Sequence, residues 1–209
     1  MTNIERFEAE FLKIKREGAD KLLKYVRTSD FYTAPSSTRF HLSVPGGLLQ
    51  HSLNVMDALR DILHDNGDGT YSYFVLGKEV AKISEETLVL ISLMHDLCKT
   101  HFYAVEMRNK KIDGVWREVP TYTINDEFPY GHGEKSVFML ESMIRLTMEE
   151  RMAIRHHMGA FTKDPDAQAN YGNAVDKWPI ILALHTADMY ASHFMEANEG
   201  NKEGFTEEN

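Results

Sequence analysis

The stretch LISLMHDLCKT, residues 90–100, sets a histidine and an aspartate side by side within an apolar helix. Leu90, Ile91, Leu93, Met94 and Leu97 read as one buried stripe, which His95 and Asp96 interrupt. A buried carboxylate is costly unless a positive group sits against it. A core partner, a surface position or a metal ion would each meet that need. Ser84 is placed as the N-cap of this helix, which the pattern predicts over 85–99, with Glu85 and Glu86 at its positive end.

Working outward, residues 3–27 show helical periodicity at Ile4, Phe7, Phe11, Ile14, Leu22, Leu23 and Val26, and Gly18 divides them into two helices. Residues 28–47 are turn-rich. A helix over about 48–64 stops at DNGDGT, and YSYFVLGKEVAKI (71–83) reads as irregular structure with a short helix. β-Branched and aromatic residues flank KIDG (111–114), which predicts a β-hairpin inside an insertion at about 102–129. YGHGEKSVFMLESMIRL (130–146) starts a further helix. TMEERMAIRHHMG (147–159) carries a capping box at Thr147 and Glu150. DPDAQANYGNAVDK (164–177) reads as loop, and Trp178-Pro179 opens a last long helix over 179–198. The expected fold class is all-α, a helical bundle with one small β-hairpin insertion. It divides into an N-terminal helical segment (1–39), a main domain (40–198) and a polar tail (199–209).

The 209 residues suit one domain with a good core. No apolar run approaches the roughly 18–20 residues of a membrane span, and no secretory signal is visible. A single cysteine, Cys98, excludes an internal disulfide framework and suits a reducing, cytoplasmic setting. The net charge of −9 argues against gripping duplex nucleic acid by phosphate neutralisation alone. It leaves room for a small phosphorylated substrate held by a local positive centre.

His51, His95 with Asp96, His132, His156 with His157, and Asp188 all stand among apolar neighbours at helical positions. Ligands drawn from separate helices are how a bundle builds a metal centre in its core. No cysteine joins the set, so a structural thiolate zinc site is excluded. The mixed His/Asp set suits Mn, Fe, Co, Ni, Zn or Mg in an open, water-bearing site. Each residue also has an ordinary reading: His51 as a hydrogen-bonded core histidine, His156-His157 as cations near a helix C-terminus, Asp188 as a helix-face carboxylate.

The ordered combination GGLLQHSLNV, LMHDLCKT and ALHTADMYAS resembles the HD-domain metal-dependent phosphohydrolases. By that resemblance His51, His95, Asp96 and Asp188 hold a first divalent ion. Asp96 bridges to a second ion, bound also by His132 and His156, with His157 the competing choice for His156. FHLSVPGGLLQHSLNVM (40–56) resembles the segment before the first ligand in HD-domain 3′→5′ exoribonucleases. Those relatives add an OB-type module, for which residues 1–39 are too few. Many relatives have glycine where this chain has Cys98, which implies a structural role for that side chain. The lysine matching Lys99 lies near the substrate phosphate in the family; its ordinary reading is a solvated lysine at a helix C-terminus.

Behind the ligands, His41 is a candidate substrate contact or ligand support, and His185, one turn before Asp188, is placed to orient it. The hairpin carries Arg108, Lys110, Lys111, Trp116 and Arg117, a basic and aromatic cluster that would touch a substrate or remain solvated. The resemblance implies a phosphohydrolase acting on a nucleotide or oligonucleotide through a metal-activated water, with Asp96 and Lys99 as its catalytic residues. The expected partner is a small phosphorylated substrate or a single-stranded nucleic acid end. The alternative is a metal- and nucleotide-binding sensor or assembly module without significant turnover.

Overall fold

Thr2 opens helix α1 (Asn3–Phe11) through a reciprocal capping box with Glu5. Helix α2 (Ala19–Thr28) follows Gly18, where a φ of +91° and the close approach of the Met143 carbonyl admit only glycine. Both belong to a computed structural model that describes residues 1–160 and 164–196. The tail expected over 199–209 lies outside the described residues.

Three helices make the centre: α3 (Gly47–Ile62), α4 (Glu85–Met94) and α8 (Ile180–Tyr190). In α4 every residue from Leu88 to Met94 is buried, because this helix is apolar all round. Ser84 caps it by accepting a hydrogen bond from the Thr87 amide. Helix α3 packs against α4 and α8, and α1 covers α3. Helix α5 (His132–Glu141) packs on α6 (Met148–Arg155), which in turn contacts α4 and α8. No described helix is long and apolar enough to cross a membrane.

The all-α expectation is overturned: two antiparallel sheets accompany the helices, and the chain is mixed α and β. Residues 71–83, expected to be irregular and helical, are strands. β1 (His64–Asp65), β2 (Thr70–Val75) and β3 (Lys78–Ser84) form one sheet in that order, with Tyr71 opposite Ile83 and both buried. The β2–β3 turn uses Leu76 and Gly77, both at positive φ. Leucine is an uncommon residue for the first of these positions, so the hairpin signal was weak in the sequence. The second sheet is the hairpin read around KIDG: β4 (Tyr103–Ile112) and β5 (Val115–Ile124) pair without a bulge and turn at Asp113-Gly114.

Two further differences concern helices. Residues 164–177, expected as loop, form α7 (Pro165–Lys177), capped by Asp164 with proline in its first turn. Only Ala174 is buried in it, so it left no apolar periodicity to read. The helix expected over 85–99 ends instead at Met94, and a 3-10 turn (Leu97–Lys99) follows. His95 and Asp96 thus occupy the junction between two helical segments.

Candidate metal centre

Asp96 is the hub of the site. Its Oδ2 lies 3.5 Å from His51 Nε2, 3.5 Å from His95 Nε2 and 2.7 Å from Lys99 Nζ. Its Oδ1 lies 2.7 Å from His132 Nε2 and 3.5 Å from His157 Nε2. The carboxylate therefore faces two sets of nitrogens, one with each oxygen. Asp188 Oδ1 closes the first set at 3.2 Å from His51 Nε2. His51 comes from α3, His132 from the start of α5, His157 from the turn after α6, and Asp188 from α8. Gly133 makes the α5–α6 approach possible, since a Cβ there would meet the Arg155 carbonyl at 2.1 Å.

The histidines are held so that Nε2 points inward. His95 Nδ1 donates to the Ser92 carbonyl at 2.8 Å, and His157 Nδ1 to the Ile154 carbonyl at 2.6 Å. His51 Nδ1 donates to the Glu196 carboxylate at 2.9 Å. Anchoring Nδ1–H leaves a lone pair on Nε2, the arrangement of a ligating imidazole.

This donor set fits a divalent cation. His157 Nε2 is buried and has no hydrogen-bond partner among the described residues. His51 Nε2 and His95 Nε2 point at each other across 3.3 Å. Atoms bound at about 2.1 Å to one ion stand about 3.2–3.5 Å apart at open angles. Groups of three donors, His51–His95–Asp96 and His95–His157–Asp188, each lie within 4.8 Å of one another.

The charges reflect the same crowding. Burial works against the charged form of His51, but hydrogen bonds to Asp188 and Glu196 outweigh it and push its pKa up to about 10. Burial holds His95 below its ordinary value. Burial opposes ionisation of Asp96 too, yet Lys99 and the neighbouring histidines keep its carboxyl well below the usual range. His41 is pushed down to about 4 by burial and by the charges of His51 and Lys99.

Of His156 and its competing choice His157, it is the His157 ring that faces Asp96. His156 caps the end of α6 and turns its ring towards Tyr171, 5.5 Å away, while His157 enters the cluster. His157 is completely buried, and that burial, not the dipeptide, separates the two. His185 donates to the His157 carbonyl at 2.5 Å, so it braces the His157 turn. His41 Nε2 lies 3.9 Å from Glu196 Oε2. Cys98 is buried, with Sγ 3.0 Å from His132 Nδ1.

Arg108, Lys110 and Lys111 are not brought to the cluster. They lie five, seven and eight residues along β4 from Tyr103, about 16 to 26 Å at the usual strand rise. Arg108 pairs instead with Glu106 on the exposed ribbon. Sequence reasoning missed Glu196, whose side chain is fully buried against His51.

A cavity of about 830 Å³ opens over the cluster. Asp96, Lys99, His132 and Asp188 contribute to its lining, as do the apolar side chains of Phe102 and Met189.

The family model for the HD domain matches residues 48–184, well over half of the chain. This chain belongs to the HD-domain family. Members of the family are generally metal-dependent hydrolases, and HD domains bind divalent metal ions. The match spans His51, His95, Asp96, His132 and His157 and stops four residues before Asp188. No curated protein and no solved structure matches the chain. The family match does not extend to the exoribonuclease branch suggested by residues 40–56.

Proposed function

We propose that this HD-domain protein is a phosphohydrolase that cleaves a phosphomonoester or phosphodiester of a small nucleotide. The carrying observation is the position of Asp96, with one oxygen towards His51 and His95 and the other towards His132 and His157, beneath an open cavity. His51, His95, Asp96 and Asp188 would hold one ion, and Asp96, His132 and His157 a second. Mn, Fe, Co, Ni, Zn and Mg all suit such donors. When bound, a divalent ion supplies Lewis acidity, which lowers the pKa of a water and draws charge from the phosphoryl oxygens.

The protein's own residues do the rest. Lys99 presents a fixed cation beside Asp96, placed to offset charge growing on a phosphoryl oxygen. Burial opposes its charge, but Asp96 outweighs burial and holds the lysine protonated, above its ordinary pKa. The apolar side chains of Phe102 and Met189 in the cavity lining suit the flat face of a base. A cavity of about 830 Å³ lies in the range of small-ligand sites. Arg108, Lys110 and Lys111 lie out along β4 and are not among the residues lining the cavity, which supports a small phosphoester over a nucleic acid end.

The test is hydrolysis by Mn²⁺-loaded protein of nucleoside mono- and triphosphates, cyclic nucleotides and short single-stranded RNA and DNA, with Asp96→Ala as control. Turnover of one class that disappears in the control supports the reading. Silence across the panel with metal bound would favour a sensor.

A further inference from the structure

We propose that Glu196 is a positioning residue for the metal centre, holding His51 in its ligating orientation from just beyond the end of α8. This rests on the reading of His51 as a ligand. The Glu196 carboxylate receives His51 Nδ1–H at 2.9 Å on Oε1 and stands 3.2 Å away with Oε2. Asn54 Nδ2 donates to Oε1 at 3.0 Å, and Gln50 Nε2 fixes that amide by donating to Asn54 Oδ1 at 2.7 Å. The polar chain Gln50–Asn54–Glu196–His51 thus runs along one face of α3, at positions four and three apart, and ends on the ring. A carboxylate behind a ligating imidazole fixes its tautomer and makes it a stronger donor.

The backbone is built for this contact. Eight residues separate Asp188 from Glu196, so in an unbroken α-helix their side chains would diverge by about 80°. A π-helical turn, Ala191–Met195, intervenes, closed by the Glu196 amide donating to the Ala191 carbonyl at 3.0 Å. The turn absorbs one residue, which reduces the divergence to about 20°. Asp188 and Glu196 then meet the same imidazole from one helix, Asp188 at Nε2 and Glu196 at Nδ1. A buried carboxylate with no solvent exposure is an expense that ligand orientation explains.

Glu196 touches a ligand of the first ion only. Titration calorimetry of the metal-free full chain with Mn²⁺ should therefore show one of two affinities falling about 10- to 100-fold in Glu196→Ala, and less in Glu196→Gln, which keeps an acceptor. The other affinity should hold. In ¹H–¹⁵N spectra of the chain loaded with diamagnetic Zn²⁺, the downfield His51 Nδ1 proton should vanish in Glu196→Ala and move in Glu196→Gln. Wild-type affinities in both variants, with the His51 resonance unmoved, would overturn the proposal while leaving His51 a ligand. A wild-type chain that binds no Mn²⁺ would overturn the ligand reading itself. Should Glu196→Ala not fold, the isosteric Glu196→Gln carries both measurements.

Discussion

Lys99 Nζ stands 2.7 Å from Asp96 Oδ2, three residues further along the chain and on the floor of the cavity. The pair places a permanent cation against the carboxylate shared by both halves of the cluster. Replacing Lys99 with Met keeps the packing of the stem and removes the charge. Turnover in kcat/KM should fall about 10²- to 10³-fold, the usual cost of losing one donor to developing charge. Mn²⁺ affinity should hold or tighten, because Asp96 loses a competing cation. Equal losses of metal and activity in Lys99→Met would assign the lysine a structural role only.

His156 and His157 are adjacent in sequence and separated in space by the turn that ends α6. His157→Ala should remove one equivalent of metal, read by elemental analysis after dialysis, because its Nε2 faces Asp96 Oδ1. His156→Ala should retain full stoichiometry, since its ring lies against Tyr171. The reverse pattern would reinstate His156.

Much of the candidate site was legible because its residue types conflict with their surroundings. His95 and Asp96 in an apolar stretch demand compensation, and the spacing of His51, His132 and Asp188 on other helices supplies partners. The His156/His157 choice was not legible, because both lie at a helix end where periodicity lapses. Glu196 was hidden for a different reason. At about 100° per residue it falls off the Asp188 face, and only the π turn returns it. In the fold, the buried helices α4 and α8 and the capping box at Thr147 announced themselves. The β2–β3 hairpin did not, because Leu76 occupies a turn position where Asn or Asp would have signalled it. Helix α7, mostly exposed, lacked the apolar stripe that marks a helix in sequence.

Gly133 follows His132 directly and lets α5 sit against the end of α6. Its added Cβ in Gly133→Ala would meet the Arg155 carbonyl at 2.1 Å, so the backbones must separate. That displacement should loosen His132 and His157 together. The expected result is a lower Tm with loss of the second metal equivalent, and the first affinity held. A variant with unchanged Tm and stoichiometry would show that the contact relaxes freely.

Cys98 is buried, with its Sγ beside His132 Nδ1. Burial, and then the Asp96 charge, push its thiol up to about 12, so it stays protonated at pH 8. Iodoacetamide should modify the native chain slowly and the unfolded chain rapidly, as counted by mass spectrometry. Cys98→Ser should keep its metal content. Fast native labelling would contradict the closed environment.

Away from the cavity, Glu150 joins three segments and offers a stability test with a defined pH sign. Its carboxylate has no solvent exposure and receives two bonds from Arg16, at 2.7 and 2.8 Å. It also accepts from Thr87 and from the Thr147 amide at the start of α6. Burial raises its pKa, but Arg16 and the Thr147 amide outweigh burial and leave it below the ordinary 4.5. A carboxyl lowered on folding stabilises fully above its unfolded pKa and loses that contribution as pH falls through the folded value. Glu150→Gln should therefore cost about 3 kcal/mol at pH 7, because it leaves a largely buried guanidinium without its main partner. Urea unfolding at several pH values would measure the gap between wild type and variant. The gap should be constant above pH 5 or so and should narrow below it, as the wild-type carboxylate takes up its proton. A gap that stays constant down to pH 3 or so would mean that packing, rather than the Arg16–Glu150 charge pair, sets the cost.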